Sequence, residues 1–187
     1  MHIALLAPVA LAIAVPLAAC EGEVQEIAHV DRPAPPDSPV VDAGQILSDE
    51  FEAELVERLV RYWNTEGTAI VVSTTDSLGG RTIEDYAFDE FNAWGIGDAE
   101  TNRGILLLVA PNERKARIEV GCGLETILTD QVAARIMDDA IIANFREGRF
   151  ESGVEAGVED IMALLDSSDV EPGPVSPACI ESMREAA

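Results

Sequence analysis

Apolar residues in this chain form short continuous runs and stripes that repeat every three or four positions. Residues 105–110 are an unbroken apolar run, and a shorter segment at 118–120 is apolar at its first and last positions. Between them, residues 111–114 read Pro-Asn-Glu-Arg, a composition typical of a turn. This pattern predicts an antiparallel hairpin. Its first strand is buried on both faces and therefore central in a sheet covered by helices.

Two further apolar runs precede the hairpin and predict two more strands. Val40 and Val41 form a short one that ends at Asp42. Residues 68–75 form a longer one, rich in the β-branched side chains that favour strands, and it leads into Asp76. Each of these strands is thus followed by a carboxylate.

Stripes at helical spacing predict four helices, two of which have clear start signals. Ser48 is expected to cap the first helix, and Thr82 with Asp85 three residues later forms a capping box for the second. The first stripe ends at Trp63, which we assign to the core.

The other two helices follow the hairpin. Thr129 and Asp130 are expected to begin the third, and the fourth contains Gly153 and Gly157 at helical spacing. Glycine lowers helix propensity, so this pair indicates close packing against a neighbour.

The resulting order, β-α-β-α-β-β-α-α, predicts one α/β domain. Its architecture is a three-layer α/β/α sandwich with a mixed sheet and an antiparallel hairpin at one edge. Ligands bind such sheets in the crevice beyond the strand ends.

The positions of the acidic residues predict where a site would lie. Asp42, Asp76 and Asp130 follow the first, second and fourth strands, and we expect them at one edge of the sheet. Asp98 and Asn102 precede the third strand, so they join this group only if that strand is antiparallel to the second. Two simpler roles stay open: Asp130 as a helix cap and Asp76 as a turn former.

The amino-acid composition excludes several kinds of binding and catalytic site. The chain has 12 basic and 35 acidic residues, a net charge of −23, which disfavours nucleic-acid binding and favours cations or basic partners. Its two histidines, His2 and His29, both precede the domain, so His-dependent nucleophilic catalysis and His-ligated zinc are excluded there. Lys115 is the sole lysine and stands in the hairpin, outside any phosphate-binding Gly-rich loop. Carboxylate, amide and hydroxyl oxygens remain, which are the ligands of hard cations.

The amino-terminal residues predict where in the cell the protein is located. Residues 1–19 read as a signal peptide of the lipoprotein type, because an apolar segment ends in Leu-Ala-Ala before Cys20. Cys20 is the expected lipidation site, and residues 20–39 form a Pro-rich tether. We expect the periplasmic face of the cell envelope, with the outer membrane weakly favoured. If Cys20 is not lipidated, the protein is secreted. Residues 167–187 are expected to be a polar tail.

Cys122 and Cys179 remain once Cys20 is lipidated. In an oxidising compartment they are expected to form a disulfide that fixes the tail to the turn at Gly121 and Gly123. Two unpaired thiols are the alternative.

Several motifs resemble those of the TPM domain family, in order across about residues 40–166. They lie at 41–42, 83–87, 94–97, 103–110, 117–125, 129–130 and 145–150. The resemblance implies an α/β/α sandwich that is secreted or tethered to a membrane. It also implies calcium binding through acidic loop positions, here Asp42, Asp76, Asp98, Asn102 and Asp130.

Two functions follow from these observations. The first is an envelope-tethered module that binds a divalent cation, calcium or a similar ion, and acts in protein interaction, assembly or quality control with envelope proteins or membrane complexes. The second, which some relatives imply, is a metal-assisted acid phosphatase acting on phosphomonoesters, with Arg103 as the nearest phosphate-binding group. A structural lipoprotein with no site is the remaining alternative.

Overall fold

The fold is known from a computed structural model that describes residues 36–98, 100–169, 177, 179 and 181. The elements are β1 (Val40–Asp42), α1 (Asp49–Glu66), β2 (Ala69–Thr74), α2 (Ile83–Trp94), β3 (Gly104–Ala110), β4 (Lys115–Val120), α3 (Asp130–Ile136), a π-helical segment (Met137–Ile142), α4 (Ala143–Phe145) and α5 (Phe150–Ser167). This order agrees with the predicted one. The third helix differs, because its middle is π-helical.

The four strands form one mixed sheet in the order β1-β2-β3-β4. β1, β2 and β3 are parallel, and β4 is antiparallel to β3 through the predicted hairpin. We call the edge where β1, β2 and β3 end the carboxyl edge, and the edge where they begin the amino edge. Since β4 runs the other way, it begins at the carboxyl edge and ends at the amino edge.

Both faces of the sheet are covered, as β3 shows residue by residue. All seven of its residues are buried. Ile105 and Leu107 point into the core shared with α1, α3 and α5, whereas Leu106 and Leu108 point into the core shared with α2. The alternation follows from the period of two in a strand, and it confirms the three-layer sandwich.

The two crossover helices lie on opposite faces of the sheet. Leu55 and Leu59 of α1 pack in the first core, and Ala87 and Phe91 of α2 pack in the second. β1, β2 and β3 are neighbours in chain order, so both connections step in the same direction across the sheet. Two such crossovers with helices on opposite faces have opposite hands. One of them is therefore left-handed, against the strong general preference.

The predicted caps of α1 and α2 are present, whereas Thr129, the residue before α3, makes no side-chain capping hydrogen bond. The Ser48 side chain accepts a hydrogen bond from the Phe51 amide, and that of Thr82 accepts one from the Asp85 amide. Each satisfies an amide that the first helical turn leaves without a partner.

Gly153 and Gly157 pack closely, as predicted. A Cβ atom at Gly153 would lie 2.5 Å from Phe145, and one at Gly157 would lie 2.6 Å from Ile141. The two glycines therefore let α5 approach the π-helical segment and α4.

The assignment of Trp63 to the core is wrong, because its side chain is 41% exposed. α1 has 18 residues and spans about 27 Å, whereas β1 has three residues and spans about 10 Å. The last turn of α1 thus extends past the start of β1, where Trp63 lies near Pro39.

Candidate functional site

The topology predicts a ligand-binding crevice at the carboxyl edge, between β1 and β2. The chain leaves β1 toward α1 on one face of the sheet and leaves β2 toward α2 on the other. Such a divergence is where open α/β sheets bind ligands. Asp42 is the last residue of β1, and Asp76 lies two residues beyond the end of β2.

Asp42 organises the loop that leaves β1. One carboxylate oxygen accepts hydrogen bonds from the Ile46 amide at 3.2 Å and from the Thr74 hydroxyl, and the other accepts one from the Leu47 amide at 2.9 Å. Thr74 Oγ1 in turn accepts a hydrogen bond from the Gly44 amide at 2.8 Å. Asp42 is therefore a structural residue as well as a candidate ligand.

Of the two carboxylates, that of Asp76 makes fewer hydrogen bonds. Its side chain is exposed and makes no hydrogen bond to any residue that the structure describes, while its backbone carbonyl accepts one from Asn112 Nδ2 at 2.8 Å. Glu113, the next hairpin residue, accepts a hydrogen bond from the Leu78 amide at 2.9 Å. The hairpin turn thus holds the loop that presents Asp76.

The expectation that Asp42, Asp76 and Asp130 meet at one edge is wrong. Asp130 follows β4, and β4 is antiparallel to β3, so Asp130 lies at the amino edge. Asp98 and Asn102 precede β3, which is parallel to β2, so they lie at the amino edge as well. The five predicted positions therefore form two separate groups.

At the amino edge, Asp98 shapes the loop that leads into β3. One of its oxygens accepts hydrogen bonds from the Glu100 amide at 2.9 Å and the Thr101 amide at 2.7 Å. The other accepts one from the Thr101 hydroxyl. That hydroxyl, with the two amides, holds the pKa of Asp98 below its usual range. These hydrogen bonds show that Asp98 stabilises the conformation of its own loop.

Asn102 is buried beside the disulfide. Its side-chain amide lies 3.2 Å from Cys122 Sγ and 3.7 Å from Cys179 Sγ, and its backbone is in the left-handed region. A Cβ atom at Gly121 would overlap the Asn102 carbonyl, and one at Gly123 would overlap that of Thr101. The glycines let the end of β4 approach this loop closely.

The predicted disulfide between Cys122 and Cys179 is present, with 6.2 Å between the two Cα atoms. Cys179 is buried, and residues 177, 179 and 181 are helical. The bond therefore attaches a residue beyond α5 to the turn that follows β4.

Asp130 lies in an acidic cleft of about 370 Å³ along β4, together with Glu119, Glu125 and Arg117. Burial raises the pKa of Glu119, and the neighbouring Asp130 and Glu125 raise it further, while Arg117 opposes them. Asp130 is also the first residue of α3, where a negative charge is favourable for the helix dipole.

Comparison with known families identifies the fold. A family model described as the TPM domain matches residues 40–164, from the start of β1 almost to the end of α5. The chain belongs to the TPM domain family. No curated protein sequence matches it.

Three solved structures resemble this TPM domain, all determined by NMR. The N-terminal domain of a protein from P. gingivalis has 31% sequence identity and a TM-score of 0.66, with 73% of this chain and 87% of that chain covered. The BA42 protein from Bizionia argentinensis has 22% identity and a TM-score of 0.56, with 68% and 91% covered. The N-terminal domain of cg2496 from Corynebacterium glutamicum has 18% identity and a TM-score of 0.54, with 78% and 91% covered. The last two show the shared fold alone.

Two observations bear on the predicted calcium binding of this TPM domain. Across the described part of the chain, no group of three or more His, Cys, Asp or Glu side chains is arranged to hold a metal ion. At the carboxyl edge the donor chemistry does fit a hard cation, because Asp42, Asp76 and Asn112 all supply oxygen atoms. A cation held there would need backbone carbonyls and water to complete its shell of six to eight oxygens.

Arg103 does not lie at the carboxyl edge, although the phosphatase hypothesis names it as the nearest phosphate-binding group. It directly precedes β3, and its carbonyl accepts a hydrogen bond from the amide of Ala69, the first residue of β2. It therefore lies at the amino edge of the TPM domain. Its Nε atom is buried without a hydrogen-bond partner among the described residues.

The basic groups at the carboxyl edge were not predicted. They are Arg114 and Lys115 of the hairpin, joined by Arg146 from the end of α4. Turn residues with positive charge are common in solvated hairpins, so the sequence contains no specific signal for them.

The predicted location at a membrane depends on residues that the structure does not describe. The predicted lipidation site Cys20, the signal peptide 1–19 and most of the tether 20–39 lie there. In the residues that are described, none of the helices is long and apolar enough to cross a membrane.

Proposed function

We propose that this TPM domain is an envelope-tethered module that binds calcium weakly at the crevice between β1 and β2. There it acts in protein interaction, assembly or quality control at the membrane. One observation carries the proposal: Asp42 and Asp76 follow neighbouring parallel strands whose connections leave for opposite faces of the sheet. Crevices of this kind bind ligands, and carboxylate pairs attract hard cations.

The proposed site has a modest affinity. Two carboxylates contribute, and that of Asp42 already accepts three hydrogen bonds. Calcium sites with few charged ligands in extracellular modules have dissociation constants of about 10⁻⁴–10⁻³ M. An ion at such a site would be loaded by the calcium level outside the cytoplasm and would bridge or stiffen the loops that follow β1 and β2.

A pair of matched variants tests the site. The purified chain is stripped with EDTA and titrated with calcium, and heat of binding and the thermal midpoint are measured. Calcium at 100 times the dissociation constant stabilises the wild type by about 2.7 kcal/mol. Asp76→Asn abolishes this gain, whereas Asp130→Asn at the amino edge retains it. Both substitutions remove one exposed carboxylate, so the overall change in charge is the same.

Two results would count against this cation site: no heat and no shift of the midpoint in the wild type, or equal losses in both variants. The envelope address is tested separately by incorporation of radiolabelled palmitate in cells. Cys20→Ala abolishes the label if this cysteine carries the lipid, while a labelled variant would remove the anchor from the proposal.

A further inference from the structure

A cavity of about 620 Å³ lies on the side of the hairpin that faces α4 and α5. Arg114 and Lys115 reach it from the hairpin, Arg146 from the end of α4, and Ile142, Phe145 and Phe150 supply apolar surface. We call it the basic pocket. It is separate from the crevice, because Asn112 and Glu113 of the same turn bond instead to the loop after β2.

The charge of the basic pocket is opposite to that of the chain. The sequence has 35 acidic residues against 12 basic ones, yet three basic side chains and no acidic one line this cavity. Concentrated positive charge in a concave, partly apolar site attracts anions even when the net charge is negative, because exposed charges farther away are screened by salt.

The three cations are not neutralised by neighbouring carboxylates. Arg114, Lys115 and Arg146 make no ion pair and no side-chain hydrogen bond with any described residue, whereas Arg58 pairs with Glu155 and Arg81 with Asp89.

The acidic residues closest in sequence to the pocket are committed elsewhere. Glu113 accepts a hydrogen bond from the Leu78 amide at 2.9 Å. Glu147 pairs with Arg149, and Glu151 accepts a hydrogen bond from the Ser48 amide at 2.7 Å. The positive charge of the pocket is therefore available to a ligand.

Arg114 occupies a backbone position that other residues adopt more easily. Its φ is 56°, in the left-handed region, where glycine or asparagine costs less. The turn is closed by a hydrogen bond from its amide to the Pro111 carbonyl at 3.1 Å. Glycine at this position would therefore keep the turn while removing the cation.

Two aromatic rings line the pocket. The rings of Phe145 and Phe150 have centroids 5.2 Å apart with an interplanar angle of 52°. Beside them Gly148 and Phe150 begin the approach to α5, an 18-residue helix. An anion attached to an apolar body would satisfy both the charged groups and the aromatic rings.

We propose that the basic pocket binds a phosphate group carried on an apolar or aromatic body. Arginine recognises phosphate through two parallel N–H···O bonds, and three cations match a dianion better than a carboxylate. Two sources carry this chemistry: a soluble phosphomonoester and the headgroup of an anionic phospholipid. This inference does not depend on calcium binding at the crevice.

The test uses the full chain in EDTA, so that no cation at the crevice takes part. Phenyl phosphate and inorganic phosphate are titrated while amide chemical shifts are followed. In parallel, the chain is sedimented with phosphatidylcholine vesicles that contain or lack phosphatidic acid. Binding of phenyl phosphate alone identifies a soluble ligand, and binding of the phosphatidic acid vesicles identifies the lipid. Either result supports the pocket if the variants below weaken it.

Arg114→Gly is the decisive variant, because it removes a cation while relieving the left-handed backbone. Its thermal midpoint is expected to equal or exceed that of the wild type. Its affinity for the bound probe is expected to fall about tenfold or more, as for loss of a hydrogen bond to a charged group. Arg146→Gln is expected to behave alike. Arg135→Gln is the control, since Arg135 is exposed, unpaired within the described part of the chain, and outside the pocket.

The proposal is overturned if neither phenyl phosphate at millimolar concentration nor phosphatidic acid vesicles bind. It is also overturned if Arg135→Gln weakens binding as much as Arg114→Gly does, because binding would then follow overall charge.

Discussion

Glu90 gives the clearest prediction of pH dependence. It lies on α2, faces the sheet and is only 6% exposed. One carboxylate oxygen accepts a hydrogen bond from the Ser73 hydroxyl at 3.2 Å, and the other has no partner among the described residues. Burial raises the pKa of Glu90 from 4.5 to about 7, although the Ser73 hydrogen bond opposes the change.

The sign and the size follow from linkage. The folded state holds the proton more tightly than the unfolded state, so the stabilising contribution of neutral Glu90 is fully present below about pH 4.5 and is lost as pH rises to about 7. At about 1.4 kcal/mol for each tenfold change in proton affinity, ionising this side chain costs about 3 kcal/mol. That is a large part of the roughly 5–15 kcal/mol by which a domain is stable.

Urea unfolding followed by tryptophan fluorescence measures this cost. The free energy of unfolding is compared at about pH 5 and about pH 8 for the wild type, Glu90→Gln and the control Glu84→Gln, which changes an exposed residue of the same helix. Relative to Glu90→Gln, the wild type is expected to lose about 2.5 kcal/mol between the two conditions, because a small part of the total loss has already occurred at about pH 5. Glu84→Gln is expected to follow the wild type.

The reasoning is refuted if the wild type and Glu90→Gln have parallel pH profiles. The carboxylate would then be charged in the folded state at no cost, which requires water or a cation at its unpaired oxygen.

Two further predictions concern packing and cross-linking. Cys179→Ser opens a loop with a sequence separation of 57 residues, which removes about 4 kcal/mol of stability in the chain-entropy description. Urea unfolding without reductant measures this loss, and wild type unfolded with reductant is expected to match the variant. Gly157→Ala places a Cβ atom 2.6 Å from Ile141 and is expected to cost about 1–3 kcal/mol. Calorimetric melting measures it, and an added Ile141→Val that restored none of the loss would contradict this contact as the cause.

The sequence predicted the features that depend on local pattern. β3 was expected to be buried on both faces because its apolar run is unbroken, and all seven of its residues are buried. Ser48 and Thr82 were expected to cap helices because a hydroxyl there satisfies free amides, and both do. These signals are contained within a few residues of chain.

The arrangement of the acidic residues depended on strand direction, which local pattern does not contain. Asp130 follows a strand just as Asp42 and Asp76 do, but the direction of β4 places it at the opposite edge. The alternation of apolar residues is the same in parallel and antiparallel strands. No inspection of the individual strands separates the two cases.

Glu90 was missed although a signal was present. It stands three residues after Ala87 and one before Phe91, on the apolar stripe of α2, so its position predicts burial. The basic pocket had no such signal, because Arg114 and Arg146 are separated by the whole of β4 and α3. Only the packing of the hairpin against α4 brings them together.

The hairpin turn has one more consequence, because it is shared. Asn112 and Glu113 hold the loop on one side, and Arg114 and Lys115 reach the cavity on the other. A ligand that shifts this turn from either side changes the free energy of occupancy at the other. If both proposed sites are occupied, thermodynamic reciprocity requires that calcium alter phosphate affinity by the same factor as phosphate alters calcium affinity. The four residues of this turn would then connect the two proposed sites, one for a cation and one for an anion.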